Sequence, residues 1–252
     1  MKGPAQMPDR QKIAAGNWKM FGTAADLGEV AAIADGARTM AGIATVLCLP
    51  ATLIHRAVQD GIALGGQDCH TAVQGAHTGD VAAGMLADAG ATHVIVGHSE
   101  RRSDHAETDA VVAAKAQAAW QAGLTAVICI GETREVYEAG QTLDVLHRQI
   151  SGSVPKGATP GNTVIAYEPV WAIGTGLTPT PQEIQDVHAA VRRMLAGHVT
   201  GGETLSLLYG GSVKPGNAAE IFGLPDVDGG LVGGASLKAE DFLPIMQALA
   251  AA

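Results

Sequence analysis

The sequence has few cysteines, few aromatic side chains and no long apolar run. Its three cysteines, at positions 48, 69 and 129 of 252, lie in or beside apolar segments. An odd, small number of such thiols is typical of a reducing compartment and does not predict a disulfide framework. No apolar stretch reaches the roughly 18 residues of a membrane span, and the first ten residues contain two prolines but no apolar core of a signal peptide. These absences favour a cytoplasmic protein that does not insert into a membrane.

Positive charge is also scarce. The chain has 16 lysines and arginines against 25 aspartates and glutamates, which gives a formal net charge of -9. A surface of this sign repels polyanions and therefore argues against nucleic acid and anionic membranes as partners. An anionic ligand would need local groups that overcome this overall repulsion.

Apolar residues, by contrast, are plentiful at 47% and recur in short runs. Most of these runs are continuous rather than alternating, as expected for strands covered on both faces. They predict eight strands, over residues 13–16, 45–49, 62–65, 93–96, 126–130, 163–167, 205–209 and 230–232.

Helical patterns separate these strands. The clearest begins with a capping box formed by Thr180 and Glu183, with Pro181 at the first helical position, and it stops at Gly197. Its apolar face is formed by Ile184, Val187, Val191 and Leu195. A second strong pattern covers residues 104–121, with Val111, Val112, Ala119 and Trp120 facing inward. Weaker patterns predict helices over 26–40, 52–60, 81–89, 133–151, 214–222 and 239–251.

The eightfold alternation of strand and helix predicts one parallel α/β domain over residues 1–252, with 1–10 as a flexible extension. Eight such units in about 250 residues is the common size of a closed (β/α)8 barrel. An open doubly wound sheet is the alternative, but no G-x-G-x-x-G motif follows the first strand.

Polar residues follow several of the predicted strands, whose carboxyl ends meet at one mouth in a barrel. Taken singly, each is more commonly a surface charge, a cap or a turn residue. Together they supply an acid/base pair, a cation and glycine-rich backbone segments at one opening. They are Asn17 and Lys19 after the first strand, His98, Ser99 and Glu100 after the fourth, Glu168 after the sixth, Gly211 and Ser212 after the seventh, and Gly233 and Gly234 after the eighth.

The motifs NWKM, GHSERR, CIGE, YEPVWAIGTG, YGGSV and GLVGGASL occur in this order and at family spacing. On these motifs the chain, from about residue 13 to its last helix, resembles the triosephosphate isomerase family. The resemblance implies interconversion of dihydroxyacetone phosphate and D-glyceraldehyde 3-phosphate through an enediolate, with a role in glycolysis and gluconeogenesis. It implies no cofactor, and the sequence shows no metal-ligand cluster.

The resemblance also implies residue roles. Glu168 would be the base, and His98, Asn17 and Lys19 would polarise the carbonyl oxygen. Glu100 would contact the lysine, whereas Arg101 is interpreted as a structural ion-pair partner. We expect a neutral His98 whose pKa is lowered by a helix N-terminus. The phosphate would bind backbone N–H groups of Gly174, Ser212, Gly233 and Gly234, with Lys19 as the cation.

The segment after Glu168 resembles the family's lid, which would close over the phosphate. Pro169, Val170 and Trp171 would form its first hinge, and the tip would be Ala172, Ile173, Gly174, Thr175 and Gly176. Leu177, where lysine is common in the family, and Pro179 predict a stiffer second hinge.

The third strand–helix loop implies a homodimer, because in the family it inserts into the partner subunit. Thr78 would reach toward the partner's lysine. His77 replaces a common aromatic residue, so we expect an interface that is more polar and sensitive to pH.

Two other functions remain possible for such a chain. One is a different sugar-phosphate barrel enzyme, such as an aldolase or a synthase, although a Schiff-base aldolase needs a lysine on a barrel strand. The other is a non-catalytic phosphate-binding barrel. A non-catalytic barrel would be expected to have another residue in place of Glu168, His98 or Lys19, and all three residues are present.

Overall fold

A computed structural model describes residues 10–58, 60–173 and 178–252 of the chain. Over these residues, eight parallel strands pair in sequence order and close into a barrel when the last pairs with the first. The predicted (β/α)8 fold is confirmed. The strands are β1 Lys12–Asn17, β2 Ile43–Cys48, β3 Ala63–Gly66, β4 His93–Val96, β5 Thr125–Ile130, β6 Thr163–Tyr167, β7 Ser206–Tyr209 and β8 Gly229–Val232.

Helices surround the barrel on its outer side. They are α1 Leu27–Ala37, α2 Ala51–Ile54, α3 Ala83–Asp88, α4 Ser99–Asp104, α5 Asp109–Gln121, α6 Arg134–Glu138, α7 Thr142–Ser153, α8 Pro181–His198, α9 Ala218–Phe222 and α10 Ala239–Ala251. None of these described helices is long and apolar enough to cross a membrane.

The strands are buried on both faces because two apolar cores meet at the sheet. Alternate residues such as Ile13, Ile95 and Val127 fill the barrel interior. The intervening ones, such as Leu47 and Ile128, pack against the helices. This double burial explains why the strand sequences are continuously apolar.

The predicted strand bounds are correct to within about two residues, whereas the helix predicted over 104–121 has the correct end but starts too early. Asp104 is the last residue of a separate short helix, α4, residues 105–108 are not helical, and α5 begins only at Asp109. The Thr108 side chain accepts a hydrogen bond from the Val111 N–H at 3.3 Å and so caps α5, and Ala106 takes a φ of +53°. Val111, expected to face inward, is 37% exposed, whereas Val112 and Ala119 are buried.

Local backbone and side-chain features also divide or shorten other predicted helices. The pattern over 133–151 forms α6 and α7, separated at Gly140 with a φ of +68°. The helix predicted over 214–222 begins only at Ala218. The preceding residues form a turn instead, in which the Lys214 N–H donates to Asn217 Oδ1 at 2.8 Å. The capping box before α8 is confirmed, with both Thr180 and Glu183 hydrogen bonds present.

Parts of two predictions lie outside the described residues. These are residues 1–9 of the predicted extension, and Gly174, Thr175, Gly176 and Leu177 of the predicted lid and its second hinge. Arg10, the remaining residue of the extension, donates to Asp228 Oδ1 at 2.7 Å and to the Pro225 carbonyl at 2.6 Å.

A buried ion network holds the amino-terminal end of the barrel. Asp228, just before β8, accepts from Arg10, from Arg192 of α8 at 2.7 Å and from the Leu207 N–H of β7 at 2.8 Å. This network connects Arg10 to β7 and to the start of β8. It lies at the end of the barrel opposite the polar mouth, and we therefore infer that its role is structural.

We expect Asp228→Ala to lower the free energy of unfolding by about 3 kcal/mol, because it leaves buried guanidinium groups with less compensating charge. Asp35→Ala is the matched control. It removes an exposed ion pair with Arg38 and should change the free energy by less than about 1 kcal/mol. Chemical denaturation at one fixed protein concentration measures both. Equal effects of the two substitutions would contradict the structural role of the network.

Candidate active site

The carboxyl ends of the strands surround a cavity of about 320 Å³. Sequence-predicted residues from five separate loops meet there, as expected for a barrel. Its lining includes Asn17, Lys19, His98, Glu168, Ser212, Gly233 and Gly234. A larger, more open depression of about 550 Å³ adjoins it at Asn17, Lys19 and His98, and extends toward the third strand–helix loop.

Glu168 follows β6 directly, and only 2% of it is exposed. Its Oε2 accepts from the Ser99 N–H at 2.9 Å, and its Oε1 lies 2.8 Å from Nε2 of His98. Glycine at position 210 leaves room for this side chain, since a Cβ there would lie 2.9 Å from Cγ of Glu168. The carboxylate is therefore desolvated, held by two partners and directed at the imidazole.

His98 is the N-cap residue of α4 and is also buried. Its Nδ1 accepts a hydrogen bond from the Glu100 N–H at 3.2 Å. This contact favours the neutral tautomer that carries its proton on Nε2, facing Glu168.

The expected lowering of the His98 pKa is wrong for this conformation. Burial acts to lower the pKa, but the Glu168 carboxylate, with a smaller contribution from Glu100, raises it, and the net shift is upward. The helix N-terminus is present as predicted, but the adjacent carboxylate outweighs it.

Lys19 adopts a strained backbone with a φ of +51°, which is uncommon for a residue other than glycine. The Lys19 N–H donates to Asn17 Oδ1 at 3.0 Å, and Gln67 Nε2 donates to the Lys19 carbonyl at 2.7 Å. Its ammonium lies 2.6 Å from Glu100 Oε1, as the resemblance implied. Sequence reasoning missed Gln67, which lies one residue beyond β3 and 48 residues from Lys19.

The loops after β7 and β8 form one wall of the cavity. Ser212, Gly233 and Gly234 line it, and Gly233 lies close to Lys19, since a Cβ at Gly233 would be 3.5 Å from Cε of Lys19. Lys214 also lines this wall. We interpreted Lys214 only as a helix start, so the sequence analysis missed this second cation.

The first hinge of the predicted lid is a single 3-10 turn, Val170–Ala172. The buried Glu132 of the CIGE motif accepts from the Trp171 indole N–H at 2.8 Å and from the Tyr167 hydroxyl at 3.2 Å. Burial raises the pKa of Glu132 despite these hydrogen bonds. The CIGE motif supported the resemblance, but the sequence did not show that its glutamate anchors the hinge.

Gly211 and Ile173 also line the cavity, whereas Arg101, His77 and Thr78 do not. Arg101 pairs with Glu107 at 2.6 Å and with Asp68 at 2.9 Å, which confirms its structural interpretation. His77 and Thr78 are exposed on the third strand–helix loop, and the ring centroids of His77 and His70 are 4.1 Å apart.

One group among the described residues has the composition of a metal site: His70, His77 and Asp80, with ligand atoms within 4.8 Å of one another. However, Nδ1 of His70 accepts from the Ala72 N–H at 3.0 Å. A neutral ring then carries its proton on Nε2, the atom that faces Asp80, and this arrangement opposes metal binding there.

Comparison with known proteins agrees with this geometry. A family model described as triosephosphate isomerase matches residues 12–249. Triosephosphate isomerase of Afipia carboxidovorans is 58% identical over 249 residues, covering 96% of this chain and 99% of that protein. That of Chelativorans sp. is 60% identical over 250 residues, with 96% and 98% coverage. The crystal structure of triosephosphate isomerase from Bartonella henselae superposes with a TM-score of 0.89 at 49% identity, covering 94% of this chain and 98% of that one.

We expect Glu168→Gln to move the pKa of His98 from above its ordinary value of 6.5 to below it. In the variant, burial would still lower the His98 pKa, and mainly the weaker attraction of Glu100 would oppose this lowering. In the wild type, the pair stabilises the fold below the ordinary histidine pKa, and this stability is lost as pH rises through the raised pKa.

NMR titration of labelled imidazole rings measures this shift. His93, whose pKa burial lowers to about 4, is an internal control that should not move. An unchanged His98 pKa in the variant would show that Glu168 does not control it.

Proposed function

The chain belongs to the triosephosphate isomerase family and interconverts dihydroxyacetone phosphate and D-glyceraldehyde 3-phosphate, and from this premise we propose that Glu168 is the base of the reaction. The observation that carries the proposal is the meeting of a buried carboxylate, an imidazole and an ammonium at one cavity, in Glu168, His98 and Lys19.

Proton transfer next to a carbonyl requires a base beside the carbon and a donor at the oxygen. Substrate would enter between Glu168 and His98, whose side chains are 2.8 Å apart in this structure. Glu168 would then remove a proton from one carbon and return it to the neighbouring one. Its position supports this role, because the carboxylate is buried, lines the cavity and is shielded there from bulk water.

His98, Asn17 and Lys19 would share the charge that develops on the carbonyl oxygen. The Glu100 N–H at Nδ1 supports a neutral imidazole that donates from Nε2. Substrate entry would separate His98 from Glu168 and remove the attraction that raises the His98 pKa in this conformation. Glu100 would keep Lys19 in place, at 2.6 Å from its ammonium.

The phosphate would bind backbone N–H groups of Ser212, Gly233 and Gly234, together with Gly174, which lies outside the described residues. Glycines suit this role because they let a backbone approach closely. Lys19 and Lys214 supply positive charge at the same cavity. Two cations beside the phosphate would offset the repulsion expected from a net charge of -9.

We propose that residues 169–176 form a lid over the bound substrate, a type of closure for which this family is itself a standard example. Closure would exclude water and protect the enediolate from losing phosphate. The anchoring of Trp171 on Glu132 supports a defined first hinge.

The aldolase alternative has less support. Lys19 follows β1 instead of lying on a strand, and its ammonium pairs with Glu100. Trapping of a substrate adduct with borohydride would favour that alternative.

We further propose a cytoplasmic homodimer that serves glycolysis and gluconeogenesis, with His77 and Thr78 in its interface. The exposed third loop supports this assembly, because the open depression beside Lys19 extends to it. A coupled assay of the purified chain with each triose phosphate tests the activity, and a chain inactive in both directions would overturn it.

We expect Glu168→Asp to lower kcat by about 10²-fold with little change in KM, because the shorter side chain withdraws the base by about 1 Å. Steady-state kinetics in both directions measure the effect. Glu220→Asp, the same shortening at an exposed position on α9, should leave kcat unchanged. Near-wild-type turnover of Glu168→Asp would rule out Glu168 as the base.

We expect acidification from pH 7.5 to 5.5 to weaken the dimer by roughly 10-fold, because position 77 brings to the proposed interface a histidine, the side-chain type that ordinarily gains charge in this pH range. Sedimentation equilibrium at both pH values measures the dissociation constant. His77→Phe should remove most of the pH effect. A dissociation constant that is the same at both pH values would contradict this expectation.

A further inference from the structure

Tyr137, on the short surface helix α6, lies between the two ends of the proposed lid. It precedes β6 in sequence and is 37% exposed, so nothing in the sequence connects it with the cavity. Yet it contacts Trp171 on one side and Glu183 on the other. These two partners flank residues 174–177.

The first contact is with the hinge that follows Glu168. The Tyr137 and Trp171 rings stack with centroids 4.2 Å apart and planes inclined by 26°. The opposite end of the indole is held by Glu132 through its N–H. Trp171 is thus fixed by a buried carboxylate from the barrel side and by an aromatic face from the surface side.

The second contact is with the segment that follows the lid. The Tyr137 hydroxyl donates to Glu183 Oε1 at 3.0 Å. Glu183 Oε2 accepts from the Thr180 N–H at 2.7 Å and from the Thr180 hydroxyl at 2.8 Å, which completes the cap of α8. One carboxylate therefore joins Tyr137 to the residues at which the chain leaves the lid.

A small cavity of about 150 Å³ lies among these groups. Tyr137, Trp171, Glu183 and the buried Pro179 line it, so the first hinge and Pro179 face the same space. Tyr137 thus contacts groups on both sides of this cavity, Trp171 before the tip of the proposed lid and Glu183 after it.

We propose that Tyr137 is a positioning residue that couples the two hinges of the lid, so that they close as one unit. The inference rests on the proposed lid function. Tyr137 touches no substrate. It acts through the ring of Trp171 and through the capping carboxylate of Glu183.

Uncoupled hinges would leave the lid imperfectly closed during the lifetime of the enediolate. In that intermediate, the electron pair of the enediolate can form a new carbon–carbon double bond while the carbon–oxygen bond to phosphate breaks. The products are inorganic phosphate and, after a proton shift, methylglyoxal, so all atoms of the triose phosphate are accounted for. Phosphate released per isomerisation therefore reports closure directly.

The test compares the full-length wild type with Tyr137→Phe, Tyr137→Leu and the control Glu138→Gln. Phenylalanine keeps the stack but loses the hydrogen bond, and leucine loses both. Glu138 lies on the same helix and pairs only with the exposed Arg134 among the described contacts. For each protein, kcat, KM and phosphate released per isomerisation are measured, and thermal unfolding checks the fold.

We expect phosphate release per isomerisation to rise about 2- to 10-fold in Tyr137→Leu, from the loss of the stack and the hydrogen bond. Tyr137→Phe should show a smaller rise, and Glu138→Gln should show none. If Tyr137→Leu fails to fold, Tyr137→Phe still decides the question. An active wild type with unchanged phosphate release in the folded Tyr137 variants would overturn the coupling alone. A wild type without isomerase activity would overturn the proposed function instead.

Discussion

The contact between the Glu168 carboxylate and the His98 imidazole is the constraint on which the rest of the site depends. A buried carboxylate is costly unless it is paired and hydrogen-bonded. Here the Ser99 N–H and the His98 imidazole, which follow β4, both interact with the Glu168 carboxylate. Gly210, which follows β7, has no side chain and so leaves room for it. Only a closed barrel, which fixes the register of neighbouring strands, brings these groups together at the end of β6.

The position of Lys19 shows a second consequence of this arrangement. A lysine with a positive φ is maintained only when its surroundings hold it there, and Asn17 and Gln67 do so through both backbone groups of Lys19. The strained turn places the ammonium between Glu100 and the glycine-rich wall. In a strongly acidic protein, a cation fixed at this point provides the local positive field that an anionic substrate needs.

The fold could be predicted from the sequence because its signals are local. Continuous apolar runs gave the strands, and the capping box at Thr180 gave the start of α8. The start of the helix predicted over 104–121 was wrong because a single side chain, Thr108, caps α5 inside an otherwise uninterrupted pattern.

For the site, sequence reasoning found residues that lie in contiguous motifs but missed contacts between loops that follow different strands. Gln67 contacts Lys19 from 48 residues away, and Glu132 holds Trp171 from 39 residues away. Such pairs are created by the pairing of the strands in the sheet and leave no spacing signal in one sequence. The direction of the His98 pKa was missed for the same reason, because it depends on which carboxylate the closed barrel places beside the ring.

The two hinges differ in what holds them. Trp171 is anchored to Glu132, which lies just past β5 and is buried in the barrel, whereas Thr180 is anchored only to the first turn of an outer helix. The barrel side therefore holds Trp171, whereas the capping carboxylate of Glu183 holds Thr180. Tyr137 joins the two sets of contacts. On the proposed lid, substitutions on α6 would therefore change closure without changing the groups of Glu168, His98 and Lys19 at the cavity.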